Sequence, residues 1–214
     1  MPEQTYLLLA EYVMCGMLFG VVTFYLLWCA FAKKFLKIDW YRLSLYASTA
    51  FLIAILTEPV HDAVYKHFFG EYLWIYQVFP IFGGGSTMLA PLAWPFYGYY
   101  SYFLHEAFLA RGIHLRMWVK GLMPALDGVP YDMVGNLFAL ALAGNYFFYY
   151  PREELWHLSS FWVIPFYAVS GILYAYVLQA FLKRKKNWKL PLSIYIAGII
   201  CMVVGEFFYR IFLH

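Results

Sequence analysis

Glu58, His61 and Asp62 stand at positions i, i+3 and i+4, a spacing that puts three side chains on one face of a helix. Pro59 follows Glu58 directly. It has no N–H to offer the carbonyl of Ile55, four residues earlier, so a helix here loses one bond and bends where the acid sits. Carboxyl and imidazole groups in this arrangement can give a proton, take one, or ligate a metal. Glu11, Glu154 with His157, and Glu206 with Arg210 add further ionisable groups. A second set is His105 and Glu106, then Asp127, Asp132 and Asn136.

All of these lie in a chain of unusual solvent preference. Of 214 residues, 64% are apolar, 23% aromatic and only 13% charged, and the mean hydropathy is +0.64. Soluble domains carry about 25% charged residues. The composition therefore excludes a disordered chain, a disulfide scaffold and a nucleic-acid-binding domain, and points to lipid as the main solvent. Cys15, Cys29 and Cys201 are far apart in apolar runs and make no C-x-x-C pair, so they read as small buried side chains.

A helix needs roughly 20 apolar residues to cross the hydrocarbon of a bilayer. Six runs have that character, near 5–32, 42–68, 86–110, 124–149, 157–182 and 190–213. The expected fold is an all-α integral membrane protein: one transmembrane domain over 1–214, a six-helix bundle with an interfacial or re-entrant aromatic segment near 70–85. That segment, glycine-rich at Gly83, Gly84 and Gly85, is expected to form a lid or line a cavity. The first run lacks preceding basic residues and a small-residue cleavage site, so it is expected to be retained.

Charge placement tests the count. Lys33, Lys34, Lys37 and Arg42 follow the first run, Arg111, Arg116 and Lys120 the third, and Lys183, Arg184, Lys185, Lys186 and Lys189 the fifth; these are twelve of the fifteen basic residues. Basic residues in short loops collect in the cytoplasm, which predicts a multi-pass protein with both termini outside. Glu58 and Glu206 then stand at matched depth, each sixteen residues into an ascending run, or about 24 Å from the inner surface. The second set of ionisable groups belongs to the inner half, with Asp127-Gly-Val-Pro as a turn and Asp132 in the first turn of the next helix.

Three kinds of chemistry fit the outer set. Two E-x-x-H pairs (Glu58 with His61, Glu154 with His157) and two lone acids (Glu11 and Glu206) have the composition of a di-iron or di-manganese carboxylate site, though in a different order along the chain. His61 and His157 are the outer pair for a haem or pigment. Alternatively, a carboxyl group buried among aromatics keeps its proton near neutrality and serves as a general acid. Trp94, Tyr97 and their aromatic neighbours provide ring faces that stabilise a cation.

On this evidence the chain resembles the small membrane-integral terpene cyclases, in size, in near-absence of loops, and in an acidic residue in the second helix (Glu58) and another in the last (Glu206). It departs from that family's seven spans unless 70–85 counts as one, and Thr57 stands where the family commonly has Trp. The resemblance implies cyclase or isomerase chemistry on an isoprenoid or other lipid, without a cofactor. Glu58 would be the proton donor, Glu206, His61 or Asp62 its partner, and Trp94, Tyr97 and Arg210 the pocket. The alternatives are a carboxylate/histidine metal-dependent membrane oxidoreductase and a non-catalytic pigment- or lipid-binding membrane subunit.

Overall fold

A computed structural model describes residues 3–212. The chain there forms six helices: α1 (Glu3–Ala32), α2 (Trp40–Phe69), α3 (Ala90–Ala110), α4 (Met117–Ala143), α5 (Val163–Leu182) and α6 (Lys189–Phe212). Two antiparallel pairs of short strands join the connections: β1 (Ile75–Tyr76) with β4 (Phe148–Tyr149), and β2 (Pro80–Ile81) with β3 (Ser86–Thr87). The all-α class holds. Among the described residues four segments are long and apolar enough to cross a membrane: Ala10–Ala32, Trp40–Phe69, Val163–Leu182 and Lys189–Phe212.

The middle of the body is α2. Asp39 starts it, its carboxylate accepting the N–H groups of Tyr41 and Arg42 that a helix start leaves unpaired. Gly70, left-handed at φ 76°, ends it. Leu45, Tyr46, Phe51 and the neighbouring aliphatic residues are buried because α2 packs against α3, α5 and α6 at once. The outer helices α1 and α4 instead show much apolar surface: Phe19, Leu126 and Val134 are among the most exposed side chains, a face suited to lipid.

Contacts at the two ends fix the direction of each helix. Arg42 pairs with Glu106 at 2.8 Å, Lys186 approaches Asp39 at 3.8 Å, and the Arg111 guanidinium lies over the Phe31 ring. The connections after α1, α3 and α5, which carry the basic clusters, thus share one end. At the other end β1 pairs with β4, and Glu206 of α6 meets the segment between α2 and α3.

Several boundaries differ from the sequence expectation. The third helix starts at Ala90 and the fifth at Val163, so Glu154 and His157 lie outside α5 in a short 3-10 turn. The fourth runs from Met117 to Ala143 rather than 124–149, and Asp127-Gly-Val-Pro does not break it. Pro124 and Pro130 each remove one backbone bond, and the helix runs through both while packed against α5 and α1. Gly128 admits the Tyr167 ring where a Cβ would collide with it, and Gly121 and Gly171 bring α4 and α5 together backbone to backbone.

Helix α3 approaches α2 as closely: a Cβ on Gly98 would stand 2.5 Å from the Ala47 Cα and 2.6 Å from the Tyr46 carbonyl oxygen. Both are backbone atoms and cannot yield. Gly98→Ala is therefore expected to destabilise the fold by about 1–3 kcal/mol, the usual cost of overpacking. Gly135→Ala, which meets nothing within 4 Å, is expected to leave thermal unfolding in detergent unchanged.

Candidate functional site

Glu58 is 4% exposed and sits in the half of α2 away from the basic loops. One carboxyl oxygen accepts the Tyr76 hydroxyl at 2.6 Å; the other accepts the Ser86 hydroxyl at 2.7 Å and the Trp94 indole N–H at 3.1 Å. Among the described residues it has no ion-pair partner. Neither Arg210 nor His61 is bound to it: Arg210 Nε pairs with Glu206 at 2.7 Å, and His61 Nε2 faces the Ser170 hydroxyl at 3.3 Å. Burial in an apolar body opposes charge on this carboxyl group, the three donated hydrogen bonds favour it, and no cation adds to their side.

The other groups on this face of α2 do different work. Asp62 accepts the backbone N–H of Leu73 at 2.8 Å and approaches that of Trp74 at 3.5 Å, tying the start of the 70–89 segment to the helix. His61 packs its ring against Phe166 of α5. Glu58, Asp62 and Glu206 together fasten one segment: Tyr76 and Ser86 reach Glu58, Leu73 reaches Asp62, and the Phe82 N–H donates to Glu206 at 2.6 Å.

Between that segment and α6 lies a cavity of about 500 Å³. Ile75, Tyr76, Gln77 and Pro80 form one wall, Gly83 and Gly84 the turn above it, and Glu206, Tyr209 and Arg210 the other wall. Of the residues expected to form a substrate pocket, Arg210 lines this cavity. Trp94 instead bonds Glu58, and the Tyr97 hydroxyl donates to Asp127 at 3.4 Å. Gly83 has φ 66°, and a Cβ there would collide with the Tyr209 hydroxyl, so glycine is needed for both the turn and the close approach.

The second ionisable set is divided between the two ends. His105 and Glu106 stay at the basic end, where His105 Nδ1 faces the Tyr46 hydroxyl at 3.1 Å and Glu106 pairs with Arg42. Asp132 does not stay there. It lies fifteen residues beyond Met117, about 22 Å along the axis, and is 5% exposed. Tyr150 at 2.6 Å, Tyr167 at 3.1 Å and Ser159 at 3.4 Å all donate to it. One turn on, Asn136 accepts the N–H groups of Phe147 and Phe148 and donates to the Leu158 carbonyl. Among the described residues Asp132 is a second buried carboxyl without a cation partner. The sequence reading placed it on the wrong side by starting the helix at the Asp-Gly-Val-Pro turn. The stretch Met117–Met123 before Pro124, apolar apart from Lys120, was the available signal for an earlier start.

Tyr76 and Ser86 also went unrecognised, because a two-residue strand leaves no period to read. Burial, first of all, holds the Tyr76 phenol well above its ordinary range, so it stays a hydroxyl. Glu11 is exposed on α1. Glu154 accepts from Ser160 and the Phe161 N–H, and His157 Nδ1 faces the Tyr150 carbonyl. Among the described residues no three His, Cys, Asp or Glu side chains converge as metal ligands, so the two E-x-x-H pairs and lone acids do not assemble into one donor set.

Comparison of the chain with protein-family models, curated proteins and solved structures finds no match. The site is therefore described by its own geometry. Asp62→Ala is expected to free the 70–89 segment while leaving α2 in place, seen as faster hydrogen exchange at the Leu73 and Trp74 amides with unchanged exchange in 45–55.

Proposed function

We propose that this chain is a membrane-embedded enzyme that acts on an isoprenoid or other lipid by carboxylic-acid general acid/base chemistry of cyclase or isomerase type, with Glu58 as the acid. The observation that carries this reading is a carboxyl group 4% exposed, held among the described residues by Tyr76, Ser86 and Trp94, the first of which also lines a cavity of about 500 Å³. Cavities of that size accommodate a ligand as large as a terpenoid. The mixed lining supports an amphipathic lipid: apolar Ile75 and Pro80 face the charged pair of Glu206 and Arg210. Glu206 becomes the partner of Glu58, since it lines the cavity while His61 and Asp62 do not.

In this reading all six helices cross the bilayer, the basic end lies in the cytoplasm and both termini lie outside. Support comes from the shared end of the three basic loops and from the rule that such loops stay inside. A cysteine placed at Lys185 should react with a membrane-impermeant thiol reagent only after the cytoplasmic face is opened. Reaction from the outside would overturn the orientation.

Glu58→Gln keeps the size of the side chain and its acceptor oxygen but cannot act as an acid. It is expected to abolish the lipid product in cells expressing the chain, a loss of at least about 100-fold, with thermal unfolding in detergent little changed. A variant that keeps the wild-type lipid profile would return Glu58 to a packing role, as in a non-catalytic lipid-binding subunit.

A further inference from the structure

Glu58 is absent from the walls of the cavity. Of its three hydrogen-bond donors, Ser86 and Trp94 are absent as well, and Tyr76 alone both touches the carboxyl group and lines the cavity. An acid that cannot meet its substrate needs an intermediary, and a phenol 2.6 Å from the carboxyl oxygen is within the distance at which a proton passes between oxygens. We propose that Tyr76 is the group that delivers the proton of Glu58 to a substrate held between Tyr76 and Glu206. The inference rests on the catalytic reading of Glu58 and adds the residue that touches substrate.

The step balances without a co-reactant. For the step both hydroxyls turn from the resting bond, in which Tyr76 donates to Glu58: an alkene carbon of the substrate takes the phenolic proton of Tyr76, the π pair becoming the new C–H bond, while the phenolic oxygen takes the carboxyl proton of Glu58. Tyr76 ends as it began, Glu58 ends as a carboxylate, and the substrate carries a carbocation. A neighbouring carbon then loses a proton to the Glu206 carboxylate on the opposite wall, and the electrons of that C–H bond become the new double bond. The product is an isomer of the substrate. Glu206, partly open to solvent, releases its proton to water, and Glu58 regains one through Tyr76.

The position of Tyr76 is set by three contacts. β1 pairs Tyr76 with Phe148 of β4. Its ring packs edge-on against Phe147 at 5.6 Å and lies against Phe148 at 5.5 Å. Those rings hold the phenol so that removal of the hydroxyl alone leaves the ring in place.

The test compares wild type, Glu58→Gln, Tyr76→Phe and Tyr149→Phe. Each is expressed in the same host, total lipid extracts are profiled by mass spectrometry, and membranes are then assayed on the total lipid extract of untransformed host cells. Tyr149→Phe removes a phenol from the same two-strand pair, one that touches neither Glu58 nor the cavity. Glu58→Gln and Tyr76→Phe should each lose the product about 100-fold or more, and Tyr149→Phe should stay within about twofold of wild type. The wild-type rate should bend with the deuterium fraction of the water, as two protons moving in one step require. Product from Tyr76→Phe near the wild-type level, with Glu58→Gln inactive, would overturn the relay and leave Glu58 as the acid. An inactive Tyr76→Phe with a linear deuterium dependence in wild type would also overturn it, returning Tyr76 to a packing role. Activity in Glu58→Gln, or no lipid change with wild type, would overturn the catalytic reading itself.

Discussion

A carboxyl group in an apolar body must find hydrogen-bond donors, and in this chain the donors for Glu58 come from outside its own helix. Two of the three, Tyr76 and Ser86, belong to the connection between α2 and α3. That dependence organises the whole end of the molecule. An unpaired buried acid costs several kcal/mol, so the connection folds back over the helices instead of extending into solvent, and the second connection, through β4, pairs with it. The same constraint recurs at Asp132, whose oxygens take hydroxyls from Tyr150, Tyr167 and Ser159. The aromatic richness of the chain thus has a polar purpose: tyrosines bring an apolar ring and one donor to places where lysine or arginine would be costly to bury.

Neutral donors also leave each acid able to change its protonation state. An arginine opposite Glu58 would hold it ionised. The guanidinium nearest the cavity, Arg210, is engaged by Glu206 instead. The charged pair stands at the open wall, and the Glu58 carboxyl group, which has no cation partner among the described residues, lies behind Tyr76.

What was legible in the sequence follows from which signals are periodic or additive. Long apolar runs and the three basic clusters gave six helices and their alternating direction. The i, i+3, i+4 spacing put Glu58, His61 and Asp62 on one helix, and the count from Arg42 put them in its half away from the basic loops. The failures came where local signals are outvoted by packing. Asp127-Gly-Val-Pro is a turn by composition, yet Gly128 and Gly121 let α5 press against α4 closely enough to carry the helix through it. That error moved Asp132 to the opposite end. Glu154 and His157 looked like a helix start because acids are common there, but the backbone turns left-handed at Leu155, Trp156 and His157, and their side chains are engaged by the local turn. Tyr76 and Ser86 were invisible because their roles depend on contacts 18 and 28 residues away.

The central claim is that Glu58 holds a proton inside this body. Infrared difference spectroscopy of wild type against Glu58→Gln in lipid, in ordinary and heavy water, measures it directly. The account predicts a carbonyl stretch of a protonated carboxylic acid in wild type that shifts in heavy water and is missing from the variant. A carboxylate band lost from the variant instead, with no protonated-acid band changed, would show Glu58 to be ionised and contradict the account.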